Sequence, residues 1–256
     1  MPQHATGVAR LASILLSGLA LLSNAKPVRA DMSVYGLYDL RHSTDPADNS
    51  NDFPVIEMKG FFPLSFGSFL FKEELDLDGT RKNQSEVYSE LDQSIRLGRA
   101  TLWGGPLSLH LGYSGGLGVF DHAAGGYYVQ NAYSAGPEYG FRAAGAYCVF
   151  YAALRHMNVT RPRFDPMISL WAGKYFFDYR LEIANSLEAW TTSAESPGAT
   201  GAPAAHKLAS WELETEVWYK VAKYLSVGTY VRTTRNVYAL SNRWVIYPSL
   251  GVKYEF

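Results

Sequence analysis

The sequence predicts an all-β fold, a 12-stranded antiparallel transmembrane β-barrel, on three observations. In the last run of the chain, Leu250, Val252, Tyr254 and Phe256 alternate with Ser249, Gly251, Lys253 and Glu255. A strand has a side-chain period of two, so this run is apolar on one face and polar on the other. A soluble protein rarely carries such a strand exposed, whereas a closed barrel in lipid has an oily outside, a wet lumen and no free edge. Second, the 256 residues include 18 Tyr, 13 Phe and 6 Trp, yet mean hydropathy is slightly negative. After residue 30 no apolar stretch approaches the roughly 18–20 residues of a spanning helix, which fits membrane strands whose every second residue faces water. Third, the connections between alternating segments are themselves alternately short and long, as membrane hairpins require.

Taken in order, alternation and turn residues place segments near Val34–Arg41, Phe53–Phe62, Ser68–Asp78, Ser85–Gly98, Leu107–Leu117 and Asn131–Phe141. They continue near Ala144–His156, Ile168–Phe177, Arg180–Ser193, Ser210–Val221, Ser226–Tyr238 and Trp244–Phe256. Pro63–Gly67, Arg99–Pro106, Asp178–Tyr179 and Ala222–Leu225 read as short turns. His42–Asp52, Gly118–Gln130, Met157–Met167 and Ala194–Ala209 read as longer loops on the other side. Glu195–Ala205 has loop composition without periodicity. Gly79–Gln84 and Ala239–Arg243 are shorter than the pattern expects.

Upstream of these segments, a basic residue at Arg10, an apolar run Leu11–Leu22 and the small-residue exit Val28-Arg29-Ala30 read as a secretory signal. Residues 1–30 are therefore expected to be a cleaved signal peptide, with residues 31–256 forming the barrel. No cysteine stands near the cut, which excludes a lipoprotein, and the single Cys148 makes no intramolecular disulfide. Loss of Arg10, Lys26 and Arg29 leaves 20 basic against 24 acidic residues. That mild acidity argues against nucleic acid as a partner.

Several segments declare their faces. Glu212, Glu214, Glu216 and Trp218 alternate with Leu213, Thr215, Val217 and Tyr219, and Glu86, Tyr88, Glu90, Asp92 and Arg96 alternate with Val87, Leu91, Ile95 and Leu97. Carboxylates at membrane depth need water or a basic partner, so the charged face is the lumen. The same parity gives Lys59, Lys72, Glu74, Glu138, Glu182, Glu188, Trp190, Tyr230, Arg232, Tyr247 and Lys253 as lumen residues. The candidate solute-binding set is Tyr88, Glu90, Asp92, Arg96, Trp190, Glu212, Glu214, Trp218, Tyr230 and Arg232. The segments carrying Tyr147–Phe150 and Trp171–Tyr175 do not declare a face.

Two motifs invite chemistry. Gly112-Tyr113-Ser114-Gly115-Gly116 matches the Gly-x-Ser-x-Gly of serine hydrolases, but that motif works on a strand-to-helix turn and here lies in a strand. With His110 nearby, a lipid-modifying hydrolase stays an alternative. Glu73, Glu74, Asp76 and Asp78 before Gly79 suggest calcium, yet the twelve-residue loop spacing is absent. No catalytic residue, metal or cofactor is assigned.

The ordered fragments Leu107–Gly116, Ala189-Trp190-Thr191, Trp218-Tyr219 with Leu225–Gly228, and Val245–Phe256 resemble the Tsx-like family of outer-membrane proteins, nearest to an uncharacterised branch related to nucleoside-specific channels. The resemblance covers most of the chain and is strongest in its last third. It implies a 12-stranded barrel and nucleoside permeation, but carries over no binding residues. The final strand ending at Phe256 also resembles the signature by which bacterial outer-membrane barrels are recognised for insertion, which implies the barrel-assembly machinery and outer-membrane lipid as partners.

The expected function is a passive, porin-like channel for small polar solutes, nucleosides favoured. Lumen aromatics can stack a flat ring while carboxylates bind hydroxyls. The same charges can instead pair and fill a nonconducting structural or adhesive barrel, with Asp45–Asn51 and Glu195–Ala205 as its contact loops.

Overall fold

Alternation forces the chain into strands, and strands with one oily face have to close. The computed structural model describes residues 31–46, 51–77, 85–102, 105–119, 126–157, 163–194, 205–237 and 243–256. The signal expected at 1–30 and the loop residues 195–204 lie outside the described residues. Twelve strands are present: β1 (Asp31–Asp39), β2 (Phe53–Leu64), β3 (Gly67–Asp76), β4 (Ser85–Leu102), β5 (Gly105–Val119), β6 (Gly126–Ala143), β7 (Ala146–Met157), β8 (Arg163–Phe176), β9 (Leu181–Ala194), β10 (Ala205–Lys220), β11 (Leu225–Arg235) and β12 (Trp244–Glu255). Each pairs antiparallel with its sequence neighbours, and β12 closes on β1 through Ser33 opposite Glu255 to Asp39 opposite Ser249. No described helix is long and apolar enough to cross a membrane.

The outside is apolar, the reverse of a soluble protein. Ile56, Leu111, Leu117, Leu154, Ile168, Ile246, Leu250 and Val252 are all exposed. Aromatics gather at the end bearing both termini, where Phe66, Phe177, Tyr179, Tyr219, Tyr224, Tyr254 and Phe256 are exposed. Such a ring suits the water-lipid boundary, where an amphipathic aromatic is most stable. Inside, the buried groups include Asp39, Glu57, Lys72, His110 and Lys253.

The turns at the terminus end are tight. Ala143 pairs with Ala146 across a two-residue turn in which Ala144 and Gly145 both have positive φ, 49° and 78°. That double positive φ matches the twist of the flanking strands, and glycine adopts it without steric cost.

Several boundaries differ from expectation. The first strand stops at Asp39, and α1 (Arg41–Thr44) follows. Asp39 Oδ1 accepts the Arg41 backbone N–H at 2.8 Å, a local bond that turns the chain out of the ladder. β8 begins at Arg163, and β6 and β10 begin at Gly126 and Ala205, so these strands extend well into segments read as loops. In β8 the added residues do alternate, Phe164, Pro166 and Ile168 outward and Asp165 and Met167 inward, and Pro166 is what made the run read as a loop.

One carboxylate does point outward. Glu73 lies between Phe71 and Leu75 on the outer face of β3, and Ser89 Oγ of β4 donates to its Oε2 at 2.6 Å. Thr215 Oγ1 likewise donates to Asn185 Oδ1 at 3.0 Å and the Tyr113 hydroxyl to Asn131 Oδ1 at 2.9 Å. Lateral pairing lowers the cost of polar groups against hydrocarbon but does not abolish it for a charge. Glu73→Leu should therefore raise stability by about 1 kcal/mol in urea unfolding from lipid vesicles. An unchanged midpoint would place Glu73 in water.

Candidate functional site: a lumen divided by ion pairs

The lumen is where the sequence put its charges. Lys72 Nζ of β3 lies 2.9 Å from Glu214 Oε1 of β10, on strands five places apart in a ring of 12. Lys59 Nζ of β2 reaches Glu216 Oε1 of β10 at 2.6 Å, and Arg232 Nη2 of β11 reaches Glu74 Oε2 of β3 at 2.6 Å. A circular barrel of 12 strands is about 24 Å across, from a spacing of ~4.8 Å and a tilt near 40°. A lysine and a glutamate reaching toward one another span only about 14 Å by covalent geometry. The cross-section is therefore flattened, with β2–β3 brought toward β10–β11.

These pairs stack in layers. Nearest the termini, Trp218 packs on Tyr35 with ring centroids 5.4 Å apart, and Lys253 Nζ bonds Glu182 Oε2 at 2.6 Å. In the next layer Glu57, 1% exposed, sits 3.0 Å from Lys59 and 3.4 Å from Lys72. Tyr230 donates its hydroxyl to Glu214 in a short bond, and Arg232 Nη2 donates to the same hydroxyl at 3.1 Å. Toward the loop end, the Arg41 guanidinium of α1 lies between the rings of Phe53 and Tyr247, 4.5 and 4.7 Å from their centroids, and bonds Asp39 at 2.7 Å. Carboxylates thus alternate with cations through the lattice, which is how buried charges are tolerated.

The opposite side is different in kind. Tyr88, Glu90 and Asp92 of β4, Arg155 of β7 and Glu188 and Trp190 of β9 are half-buried, and Glu212 of β10 stands where this side meets the lattice, 3.6 Å from Arg232 Nε. Tyr151 donates to Glu188 Oε1 at 2.9 Å, and the Arg155 guanidinium lies 4.7 Å from the Trp190 ring centroid. Acid exceeds base here, whereas the lattice side is compensated.

The predicted site residues therefore separate into two groups. Tyr88, Glu90, Asp92 and Trp190 lie on the half-buried wall, and Glu212 lies between it and the lattice. Glu214, Trp218, Tyr230 and Arg232 belong to the lattice, where Trp218 is 1% and Tyr230 5% exposed, so neither offers a ring face to a solute in this conformation. Arg96 shares the face of Ser94 but is exposed at the terminus-end mouth. Sequence reasoning missed Glu57, Tyr35, Tyr151 and Arg155. Glu57 was readable, since it shares the parity of Lys59. Tyr151 and Arg155 were not, because Phe150 and Leu154 on the outer face of β7 are matched by Val149 and Ala153 on the inner one. Ser114 and His110 stand four residues apart on β5, roughly 13 Å along the strand, and are not brought together. Glu73 and Glu74 point to opposite faces, which disperses the acidic run.

No family profile matches the chain, and no curated protein does. Among solved structures it is similar to the NanC porin at 10% identity and a TM-score of 0.52, covering 88% of this chain and 100% of that one. It is also similar to the KdgM porin (12% identity, TM-score 0.47, 88% and 99% covered) and to LpxR from Salmonella typhimurium (8%, 0.47, 88% and 100%). At these identities the likeness is one of fold. The class so defined is the closed, 12-stranded antiparallel barrel.

Proposed function

We propose that this barrel resides in the bacterial outer membrane as a narrow, cation-preferring passive channel for small polar solutes, with nucleosides as the favoured class. Residues 1–30 would serve as the export signal and the strand ending at Phe256 as the contact with the assembly machinery. The observation that carries the reading is the difference between the two sides of the lumen. Glu57, Glu74, Glu214 and Glu216 each lie within 3.0 Å of a lysine or arginine nitrogen, whereas Asp92 faces the His110 ring at 3.6 Å and Glu188 accepts from the Tyr151 hydroxyl. Side chains fill barrels of about eight strands and leave wide water channels at 16–18. Twelve strands, partly occupied by an ion-pair lattice, leave a passage to one side.

That passage would be lined by Glu90, Asp92, Glu188 and Glu212, which raise local cation concentration and accept hydrogen bonds from sugar hydroxyls. Tyr88 and Trp190 offer aromatic surface to a base. Serial weak contacts of this kind permit flux, where one tight site would stop it. The Tsx-like resemblance supports the nucleoside preference.

Planar-bilayer recording tests the proposal. Small unit steps with a reversal potential favouring K⁺ over Cl⁻ are expected, reduced by millimolar adenosine or thymidine. Glu188→Gln with Glu212→Gln should move the reversal potential toward zero. Absence of steps from correctly folded protein would sink the channel and favour the second reading, a nonconducting barrel. That reading draws on the cross-lumen pairs Lys72–Glu214 and Lys59–Glu216.

A further inference from the structure

A separate arrangement lies on the β4–β6 wall, beside the acidic lining. His110 Nε2 lies 3.0 Å from Ser134 Oγ, and its Nδ1 lies 3.6 Å from Glu138 Oε2. The other oxygen of Glu138 accepts a hydrogen bond from Ser94 Oγ at 2.6 Å. Tyr151 stacks on the imidazole with centroids 3.8 Å apart and planes 9° apart. The imidazole is thus held by face and by edge and is 2% exposed, while Ser134 is half-buried. Gly112 is the register partner of Ser134, and a Cβ there would come within 2.4 Å of Ser134 Oγ and 2.9 Å of His110 Nε2. The absence of a side chain at Gly112 is what lets the two groups meet over it.

Hydroxyl, imidazole and carboxylate in that order, with the carboxylate itself anchored, are the parts of an activated nucleophile. We infer that Ser134 is a nucleophile toward small carboxylic esters that enter the lumen, with His110 as its base and Glu138 positioning the base. Glu138 faces Nδ1 and Asp92 faces Nε2, each at 3.6 Å; in the tautomer protonated on Nδ1, the Nε2 lone pair accepts the Ser134 proton. As that proton passes to Nε2, Ser134 Oγ bonds to the ester carbonyl carbon. The bond to the leaving alkoxide breaks, and the alcohol departs with the proton from Nε2. A water molecule then attacks the acyl group and gives its proton to Nε2. The acid is released and the Ser134 hydroxyl restored, with no change of oxidation state.

The surroundings select the ester. Asp92 Oδ1 lies 3.6 Å from Nε2, and Glu90 is on the same wall, so neutral or cationic esters are accepted and anionic ones repelled. Ser134 and Gly112 sit inside the β5–β6 ladder and not at a helix start, so the wall is not built like an oxyanion hole. Such donors contribute about 10²–10³-fold in rate. Turnover is accordingly slow, and a covalent adduct is the sensitive readout.

The test uses the purified, folded barrel and a small alkyl fluorophosphonate, with the modified residue located by peptide mass. Ser134 should be phosphonylated in the wild type, and no adduct should form on that peptide in Ser134→Ala. His110→Gln should slow labelling by about 100-fold or more. Glu138→Gln should slow it as well, and Glu138→Asp should restore part of the rate, which a merely structural carboxylate would not predict. A heat-dependent gel shift confirms folding of each variant. Wild-type protein that stays unlabelled at Ser134, or equal rates in wild type and folded His110→Gln, overturns the inference. The outcome is independent of whether the barrel conducts.

Discussion

Replacing Lys72 with methionine should cost the folded barrel about 3–5 kcal/mol, the usual penalty for breaking a buried ion pair by removing one partner. The size follows from what Lys72 holds. Its ammonium is 2.9 Å from Glu214, 3.4 Å from Glu57 and 3.8 Å from Glu74, and the residue is 5% exposed. Methionine fills nearly the same volume but leaves Glu57 leaning on Lys59 alone. Pairing Lys72→Met with Glu57→Met removes the stranded carboxylate, so the double variant should be more stable than the sum of the single losses implies, by on the order of 2 kcal/mol. Urea unfolding in lipid vesicles, followed by tryptophan fluorescence and by gel mobility, measures both quantities. A loss under ~1 kcal/mol for Lys72→Met would mean that these charges are hydrated and unpaired.

The lattice also bears on passage. Lys72–Glu214 and Arg232–Glu74 tie two walls that would otherwise stand apart. Cutting one tie lets water between the walls, so Lys72→Met should raise single-channel conductance as it lowers stability. A buried ion pair is weak support for stability compared with an apolar replacement of equal shape. Its retention here fits a role in setting lumen width.

How much of this was legible in the sequence depends on how strongly each strand separates its two environments. On β10, Glu212, Glu214 and Glu216 opposed to Leu213 and Val217 leave no doubt, since a one-residue slip would drive three carboxylates into lipid. On β7 both faces carry apolar residues, and it is the contacts of Tyr151 with Glu188 and His110 and of Arg155 with Trp190 that show which face is inner. Strand ends were least legible: β8 runs from Arg163 with Phe164, Pro166 and Ile168 exposed on its outer face, but the proline there reads as a loop signal. Partnership across the lumen was not legible at all. Lys59 and Glu216 are separated by 157 residues, and their meeting depends on closure of β12 on β1 and on flattening of the ring. Parity could say that Trp218 and Tyr230 point inward. It could not say that they are buried among charges instead of facing a passage.

Trp218 offers the second large effect, because it closes the lattice at the terminus end. Its ring packs on Tyr35, its Nε1–H donates to Glu216 Oε2 at 2.8 Å, and it is 1% exposed. The register partner on β11 is Gly228, where a Cβ would come within 2.7 Å of the indole, so this large side chain rests against bare backbone. Trp218→Ala removes the ring, the hydrogen bond and the cover over Gly228 together. Large-to-small changes at buried aromatic sites cost about 3–5 kcal/mol. Here the space left would open to the terminus-end mouth and admit water, which places the expected loss near the lower figure. The same water would hydrate Glu216 and loosen its hold on Lys59, so conductance should rise several-fold while the preference for cations persists. Trp218→Phe separates the two contributions: it keeps most of the ring and loses the donor, and should recover most of the stability with little added conductance. If Trp218→Ala lowers stability as expected and leaves conductance at the wild-type value, the layer of Trp218 and Tyr35 does not limit passage, and the constriction belongs to Lys72, Glu214 and Arg232.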